Sequence, residues 1–221
     1  MIKDISVVLL GAGKSKRFDT NTLKQNVKIH DKRVIDYSVD FFRKHFNASK
    51  KYFVINKKIQ LKTLTENEHI LYGSTSRLKS LNNCLDYISR NNLQTKYLLV
   101  HDVARPVLNL ADIKKIIREI HKKVDGSTLG YPLTNAVKEV KNNTIYYNIH
   151  KSNLWSTFTP QIFKMEKLYQ SVKSCLDEKY DVDDDIEALL LNSLKCSMIM
   201  SSPTNIKVTY KSDINYIKKL L

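Results

Sequence analysis

Cysteine is scarce in this chain of 221 residues, which contains three: Cys84, Cys175 and Cys196. An odd and widely scattered set does not form a disulfide framework, and its spacing is not that of a zinc site. The six histidines add no metal-binding pair beside these cysteines. We therefore expect reduced thiols, as in a cytosolic protein.

Long apolar runs are also missing. No stretch is long enough to cross a bilayer, and the first residues, 1–4, lead directly into a strand, so no signal peptide is expected. No linker, internal repeat or low-complexity segment divides the sequence. Since 42% of the residues are hydrophobic, we expect one α/β domain over residues 1–221, located in the cytoplasm.

Acidic residues are outnumbered, at 22 against 37 lysines and arginines, which gives a net charge of +15. Such an excess requires that nucleic-acid binding be considered. The positive charge is nevertheless spread along the chain in pairs such as Lys50-Lys51 and Lys122-Lys123. There is neither a basic tail nor an aromatic RNA-binding signature. Nucleic acid is therefore not the partner that we expect.

The first 120 residues alternate short apolar runs with helical periodicities. Strands are predicted at residues 5–10, 52–55, 69–72 and 97–100, and helices at 34–46, near 78–88 and near 113–120. This order predicts a Rossmann-like, doubly wound and mostly parallel sheet. Ligands of such sheets bind beyond the carboxyl ends of the strands. We expect three polar stretches to meet there: residues 11–24, 73–80 and 101–105.

The second half of the chain changes character after a strand predicted at residues 127–132. Two alternating segments, residues 136–140 and 144–147, flank the turn Lys141-Asn142-Asn143. This pattern predicts a β-hairpin, and we define the arm as residues 133–152. A dimer arm and a surface flap both agree with the pattern, and we predict a homodimer. Helices at 165–176, 184–191 and the C-terminus, with a strand at 195–200, complete the chain.

The first strand ends abruptly in Gly11-Ala12-Gly13. Cations follow at Lys14, Lys16 and Arg17 and, after a polar loop, at Lys24. Small residues let the backbone approach a ligand closely, and the N–H groups of such a loop favour an anion. The stretch is not a complete glycine-rich fingerprint, because Ser15 stands where another glycine would be expected. A phosphate-binding loop and an ordinary strand-to-helix turn both remain open from this stretch alone.

Further motifs follow in order. They are Arg77-x-x-Ser80, Asp102-x-Ala104-Arg105-Pro106, Leu154-Trp155, Thr159-Pro160-Gln161 and Asn205-Ile206-Lys207-Val208-Thr209. Together with the first turn and Lys24-Gln25, they make the whole chain resemble the 2-C-methyl-D-erythritol 4-phosphate cytidylyltransferase family, within the nucleotide-sugar pyrophosphorylase-like group. The resemblance implies that CTP and a polyol phosphate yield a CDP-polyol and pyrophosphate, with Mg²⁺ as cofactor, in isoprenoid precursor synthesis.

The resemblance also implies a role for each matching residue. The expected catalytic cations are Arg17, Lys24 and Lys207. The expected CTP-binding residues are Gly11, Ala12, Gly13, Ser74, Thr75, Arg77, Ser80 and Asp102. Asp102 would bind ribose hydroxyls or help to place Mg²⁺, which prefers one or two carboxylates together with substrate phosphates. The expected polyol-phosphate-binding residues are Arg105, Asn135, Ala136, Lys151 and Thr159.

Several of these residues have structural alternatives. Asp102 could cap a helix or pair with Arg105, and such a pair would make Arg105 a structural residue of the loop. The acidic run 183–185 is interpreted as a helix N-terminus in preference to a metal cluster. Trp155 is expected in the core, and His101 is expected to pack without a polar partner.

Departures from the family pattern affect the residues expected to bind the acceptor more than those expected to bind CTP. Ser15 and Leu23 replace a glycine and a proline, but the cations remain. Asn135-Ala136 stands where the family usually has Asp-Thr, and Lys151 replaces an arginine of the neighbouring subunit. Lysine keeps the charge without the bidentate fork, and alanine donates no hydrogen bond. We therefore predict methylerythritol phosphate as acceptor, with ribitol 5-phosphate as an alternative and a non-catalytic nucleic-acid-binding relative as a third hypothesis.

Overall fold

Strands and helices alternate along the chain as the apolar periodicities indicate. A computed structural model describes residues 4–15, 17–19, 21–62 and 64–221. The opening residues 1–3 and Lys16, which belong to two of the sequence patterns, lie outside the described residues. The strands are β1 (Ile5–Gly11), β2 (Lys28–Ile29), β3 (Lys32–Arg33), β4 (Lys51–Ile55), β5 (Glu68–Tyr72), β6 (Tyr97–Asp102), β7 (Gly126–Pro132), β8 (Val137–Lys141), β9 (Thr144–Ile149), β10 (Trp155–Lys164) and β11 (Cys196–Met200). The helices are α1 (Val34–His45), α2 (Arg77–Arg90), α3 (Leu110–Ile120), α4 (Met165–Asp177), α5 (Asp185–Leu191) and α6 (Lys211–Lys218).

Seven strands form the central sheet, in the order β11-β7-β10-β6-β1-β4-β5. Strand β1 pairs in parallel with β4 and β6, β4 with β5, and β7 with β11. Among the described strands of this sheet, only β10 runs antiparallel to its neighbours, which are β6 and β7. The sheet is thus mostly parallel, and the predicted fold class is confirmed.

Each face of the sheet is covered by helices, because successive residues of the buried strands point to opposite sides. In β1, Val7 and Leu9 pack against α1 and α3, whereas Val8 and Leu10 pack against α2, α4 and α5. The helical periodicities supply the facing side chains. All three cysteines are free of disulfide bonds: Cys84 and Cys175 are buried, and Cys196 is partly buried.

Strand β10 was not foreseen as a strand. It was expected only as the return of the chain to the core, yet its ten residues lie between β6 and β7. Proline and polar residues argue against a central strand. Here Pro160 lies where the pairing with β7 shifts register, between Phe158 and Gln161, so the proline does not interrupt a regular ladder.

Trp155, the first residue of β10, is not a core residue. It pairs with Pro132 at the end of β7, and 39% of its surface is exposed. Burial along β10 begins only at Phe158. The expectation of a core tryptophan was therefore wrong, because the first residues of β10 continue beyond the covered part of the sheet.

The predicted hairpin is present as the antiparallel pair β8 and β9. Its residues are almost all exposed, including Val140, Ile145 and Tyr147, at 55%, 63% and 64%. Asn142 and Asn143 turn the chain with left-handed backbone at φ 49° and 62°, a conformation that asparagine tolerates. The arm therefore presents apolar side chains that nothing in its own described chain covers.

No helix in the described ranges is both long and apolar enough to cross a membrane.

Candidate active site

A cavity of about 280 Å³ opens at the carboxyl ends of β1, β5 and β6. The three polar stretches named from the sequence meet there, as expected for a doubly wound sheet. Its lining residues come from five segments of the chain. They are Leu10, Ala12, Gly13, Lys14, Ser15, Arg17, Phe18, Lys24, Gln25, Ser74, Thr75, Ser76, Arg77, Ser80, Asp102, Val103, Ala104, Lys207 and Thr209.

The loop after β1 is held from below by a buried amide. Gln25 Nε2 donates to the carbonyl oxygens of Gly11 at 2.9 Å and Gly13 at 3.1 Å. On its other side, the loop lines the cavity with Ala12 and Gly13. Gly11 itself is the last residue of β1, buried against Val103, and does not line the cavity. Its expected part in CTP binding is therefore indirect.

Close packing joins this loop to the one after β5. A Cβ added to Gly73 would lie 2.0 Å from the Cβ of Ala12, so only glycine allows the two loops to touch. The Ser80 hydroxyl accepts a hydrogen bond from the Ser74 N–H at 2.9 Å and donates to the Ser76 carbonyl at 2.7 Å. Ser80 thus shapes the loop, and the exposed Ser74 and Thr75 are left to face a ligand.

Cationic side chains dominate the cavity. Arg17, Lys24 and Lys207 all line it, and Lys24 Nζ donates to the carbonyl oxygen of Val208 at 2.6 Å. Burial, together with the positive charges of Lys207 and Arg17, lowers the pKa of Lys24 to about 8. Such a cluster of cations is unfavourable without an anion, and it is suited to bind phosphate groups.

Asp102 lies at the end of β6 with both carboxylate oxygens engaged. Oδ1 accepts from Arg77 Nε at 3.0 Å, and Oδ2 accepts from Lys207 Nζ at 2.6 Å. Burial alone would raise the pKa of Asp102, but Arg77 and Lys207 outweigh burial and hold this pKa well below its usual range. Asp102 does not pair with Arg105, contrary to the structural alternative, since Arg105 Nη1 donates to the Asn205 carbonyl at 2.8 Å.

The Asp102 carboxylate does not fit the expected role of a metal ligand. It is the one carboxylate among the described residues that line the cavity, and cations occupy both of its oxygens. The described part of the chain contains no group of three histidine, cysteine or acidic residues that could hold a metal ion. The side chains present therefore build no Mg²⁺ site by themselves.

Asp185 is a residue of the site that the sequence did not reveal. It is fully buried and accepts from Arg77 Nη1 at 2.6 Å and Nη2 at 2.9 Å. Its neighbour Asp184 is the N-cap of α5 and accepts from the Glu187 N–H, as expected for an acidic helix start. The one signal available was that Arg77, with five N–H donors, needs more than one acceptor.

Ion pairs thus connect four segments of the chain at the cavity, in the order Lys207, Asp102, Arg77, Asp185. The two carboxylates outweigh burial and raise the pKa of Arg77, so the guanidinium stays charged. Arg77 was expected among the CTP-binding residues. Its contacts fix the start of α2 against β6 and α5, and the loop before α2 is positioned as a consequence.

His101 and Thr159 form a buried pair behind the site. The Thr159 hydroxyl accepts from the Asp102 N–H at 3.0 Å and lies 3.2 Å from His101 Nδ1, and His101 Nε2 lies 3.1 Å from the Arg105 carbonyl. Burial lowers the pKa of His101 to about 3, so the ring is neutral. Both expectations fail here: His101 has polar partners, and Thr159 is buried and does not offer its hydroxyl to a polyol phosphate.

The other expected acceptor residues lie apart from the cavity. Asn135 and Ala136 are exposed just before β8, and Lys151 Nζ, beyond β9, donates to the Thr134 carbonyl. None of these three lines the cavity of its own chain. Arg105 is likewise absent from the lining, and its guanidinium lies over the Phe158 ring at 5.7 Å.

The mostly parallel sheet, the small-residue loop after its first strand and the cations around it define a nucleotidyltransferase of the α/β class. The family model for 2-C-methyl-D-erythritol 4-phosphate cytidylyltransferase matches residues 5–221. The chain therefore belongs to this family of enzymes.

Individual relatives agree with this assignment. The proteins called 2-C-methyl-D-erythritol 4-phosphate cytidylyltransferase in Wigglesworthia glossinidia brevipalpis and Buchnera aphidicola are 29% and 26% identical to this chain, over 96% and 95% of it and 93% and 90% of their own lengths. A solved structure of the protein of that name from Francisella tularensis has a TM-score of 0.87 at 22% identity, covering 99% of this chain and 100% of the other. This structural likeness supports the fold.

Proposed function

We propose that this chain transfers the cytidylyl group of CTP to 2-C-methyl-D-erythritol 4-phosphate, releasing pyrophosphate, in isoprenoid precursor synthesis. Family membership over residues 5–221 supports the reaction. The observation that carries the location is the cavity where Arg17, Lys24 and Lys207 converge.

The reaction depends more on neutralising negative charge than on transferring a proton. A phosphate monoester carries about −1.5 to −2 charges at neutral pH, so its oxygen attacks the α-phosphorus without a general base. Repulsion between the two anions is the obstacle, and fixed cations reduce it. We assign Lys24 and Arg17 to the α- and β-phosphates and Lys207 to the opposite side of the reacting phosphate. The balance is one phosphorus–oxygen bond formed to the acceptor and one broken to pyrophosphate.

The remaining side chains hold CTP in place. Backbone N–H groups near Ala12 and Gly13 would bind the triphosphate, and Ser74 and Thr75 would contact the cytosine edge. We propose that Lys207 exchanges its contact with Asp102 for a phosphate oxygen when CTP binds, which frees one Asp102 oxygen for the ribose hydroxyls. Mg²⁺ stays a prediction from the family resemblance, and none of these roles depends on it.

We further propose a homodimer in which the arm completes the acceptor site of the partner subunit. The support is the exposed apolar surface of the arm and the position of Asn135, Ala136 and Lys151 away from their own cavity. Lys151 would supply a positive charge for the polyol phosphate. The unpaired thiols support the cytoplasm as the compartment.

Ribitol 5-phosphate is the second candidate acceptor. It is favoured by Ala136, which has no hydrogen-bonding side chain, and by Lys151, which lacks the fork of an arginine. Both departures affect the acceptor and leave the CTP-binding cations unchanged.

The test is pyrophosphate release from CTP and Mg²⁺, with each acceptor offered separately and the nucleotide product identified by mass. We expect CDP-methylerythritol from the first acceptor. Turnover with ribitol 5-phosphate alone would reject methylerythritol phosphate as the acceptor, and the proposal of cytidylyl transfer would stand. No turnover with either, together with tight and salt-sensitive RNA binding, would support the nucleic-acid-binding hypothesis instead.

A further inference from the structure

Ser15 has a backbone conformation that L-residues rarely adopt. Its φ is 58°, in the left-handed region, where a residue with a Cβ is less stable than in the right-handed helical region. Glycine has no such penalty. The chain nevertheless has serine at this position, in the loop that lines the cavity.

The Ser15 side chain makes contacts that glycine could not make. Its hydroxyl accepts a hydrogen bond from the Lys24 N–H at 3.1 Å and donates one to Gln25 Oε1 at 3.2 Å. The same Gln25 holds the Gly11 and Gly13 carbonyls through Nε2. The Ser15 carbonyl also accepts from the N–H groups of Phe18 and Asp19, at 2.8 Å and 3.0 Å.

These bonds join two segments that both belong to the site. The first is the loop after β1, of which residues 12–15 line the cavity, and the second is the turn at Lys24 and Gln25. Without the Ser15 hydroxyl, the hydrogen bonds between the described residues of the loop and the turn are those that Gln25 Nε2 donates. The position of the Lys24 backbone relative to the loop is therefore set in large part by one hydroxyl group.

We propose that Ser15 is a positioning residue for Lys24, which it fixes against the triphosphate-binding loop in place of a flexible glycine. The proposal rests on the proposed function only for the identity of the ligand as CTP. The two hydrogen bonds of the Ser15 hydroxyl offset the free-energy cost of its left-handed backbone, and the loop is preorganised for phosphate as a result.

The experiment compares Ser15→Gly and Ser15→Ala with the wild type. Both variants lose the hydroxyl, and Ser15→Gly also relieves the left-handed strain. We expect CTP to bind about fivefold more weakly to both, which is the change that corresponds to one neutral hydrogen bond of about 1 kcal/mol. Calorimetric titration with CTP measures this without turnover.

Steady-state kinetics separate positioning from a structural role. Positioning predicts a higher KM for CTP and a lower kcat, with the KM for the polyol phosphate unchanged. A structural role alone would lower the melting temperature or the active fraction and leave both KM values as they are.

The matched control is Ser193→Gly. Ser193 has a similar φ of 56° and is exposed in the turn after α5, outside the cavity lining. We expect this variant to bind CTP and turn over like the wild type. Wild-type affinity in both Ser15 variants would overturn the proposal. Weaker CTP binding in these variants of a protein that makes no CDP product would instead uphold Ser15 and reject the proposed reaction.

Discussion

The ammonium group of Lys24 lies among other cations, and this placement predicts a pH dependence. Burial and the charges of Lys207 and Arg17 lower its pKa to about 8, while Asp102 opposes them. Arg105 is a further, weaker positive neighbour. Lys24 is therefore charged below that pH and neutral above it, and only the charged form stabilises phosphate.

We expect kcat/KM for CTP to fall as the pH rises through about 8, because this parameter reports the free enzyme. Bound CTP supplies negative charge and raises the pKa of Lys24, so kcat should fall only at higher pH. The profile between about pH 6 and about pH 10 measures both limbs. In Lys24→Arg the alkaline limb should vanish, and a wild-type kcat/KM that stays constant to the alkaline end would contradict the assignment.

Asp185 leads to a second prediction at the residue scale. Replacing it by asparagine leaves the partly buried guanidinium of Arg77 with Asp102 as its single carboxylate. Because Arg77 keeps Asp102 and burial raises the pKa of Asp185, the expected loss is that of a charged hydrogen bond, about 1.5–3 kcal/mol. Denaturant unfolding of Asp185→Asn should show a loss of this size, and KM for CTP should rise as Arg77 shifts toward Asp102.

Asp183→Asn is the control for Asp185→Asn, since Asp183 has the same charge at the same helix start but is exposed. We expect little change in its unfolding free energy. Equal losses in the two variants would show that the charge at the N-terminus of α5 matters and the pair with Arg77 does not.

At the scale of elements, the contact between the loops after β1 and β5 decides the shape of the cavity. In Gly73→Ala the new Cβ would lie 2.0 Å from that of Ala12, so one loop must move. Overpacking of this kind costs about 1–3 kcal/mol. We expect a lower melting temperature and weaker CTP binding.

Gly13→Ala provides the comparison for stability. Its added Cβ has Gln25 Nε2 as nearest neighbour, at 3.9 Å, an ordinary contact. The melting temperature of Gly13→Ala should stay close to that of the wild type. If Gly73→Ala were equally stable, the close approach of the two loops would be wrong.

Elements with a strong periodicity could be predicted from the sequence. The continuous apolar run from Val7 to Leu10 and the spacing of Ile113, Ile116, Ile117 and Ile120 reflect burial directly, and these elements are confirmed. Strand β10 could not be predicted, because its polar residues face buried partners that are distant in sequence: Gln161 Nε2 donates to Thr128 Oγ1.

The candidate site was predictable at the level of segments and less so at the level of contacts. The rule that ligands bind beyond the strand ends brought Lys24, Ser74 and Asp102 together correctly. Which carboxylate pairs with which cation depends on long-range packing. Sequence reasoning therefore missed Asp185 and assigned binding of the polyol phosphate to Thr159, which is buried.

At the scale of the whole molecule, the exposed arm predicts self-association. Tyr147 is 64% exposed on β9, and an aspartate there would place a charge in an apolar interface. We expect Tyr147→Asp to be monomeric by analytical ultracentrifugation and the wild type to be dimeric. Its KM for the polyol phosphate should rise, since Lys151 of the partner would be lost.

Tyr216→Asp is the matched control, because Tyr216 is similarly exposed, at 61%, but lies on α6 outside the arm. This variant should remain dimeric. A monomeric wild type with full activity would refute the dimer and the shared acceptor site together.

The whole account depends on the cationic cavity being the site of cytidylyl transfer, and turnover of Lys24→Ala tests this most directly. Removing one transition-state donor typically lowers kcat by about 100- to 1,000-fold. We predict a loss at least this large, with an unchanged circular dichroism spectrum, whereas Lys28→Ala, an exposed lysine four residues away, should turn over normally. Near-wild-type kcat in Lys24→Ala would contradict the account, since the chemistry would then lie elsewhere.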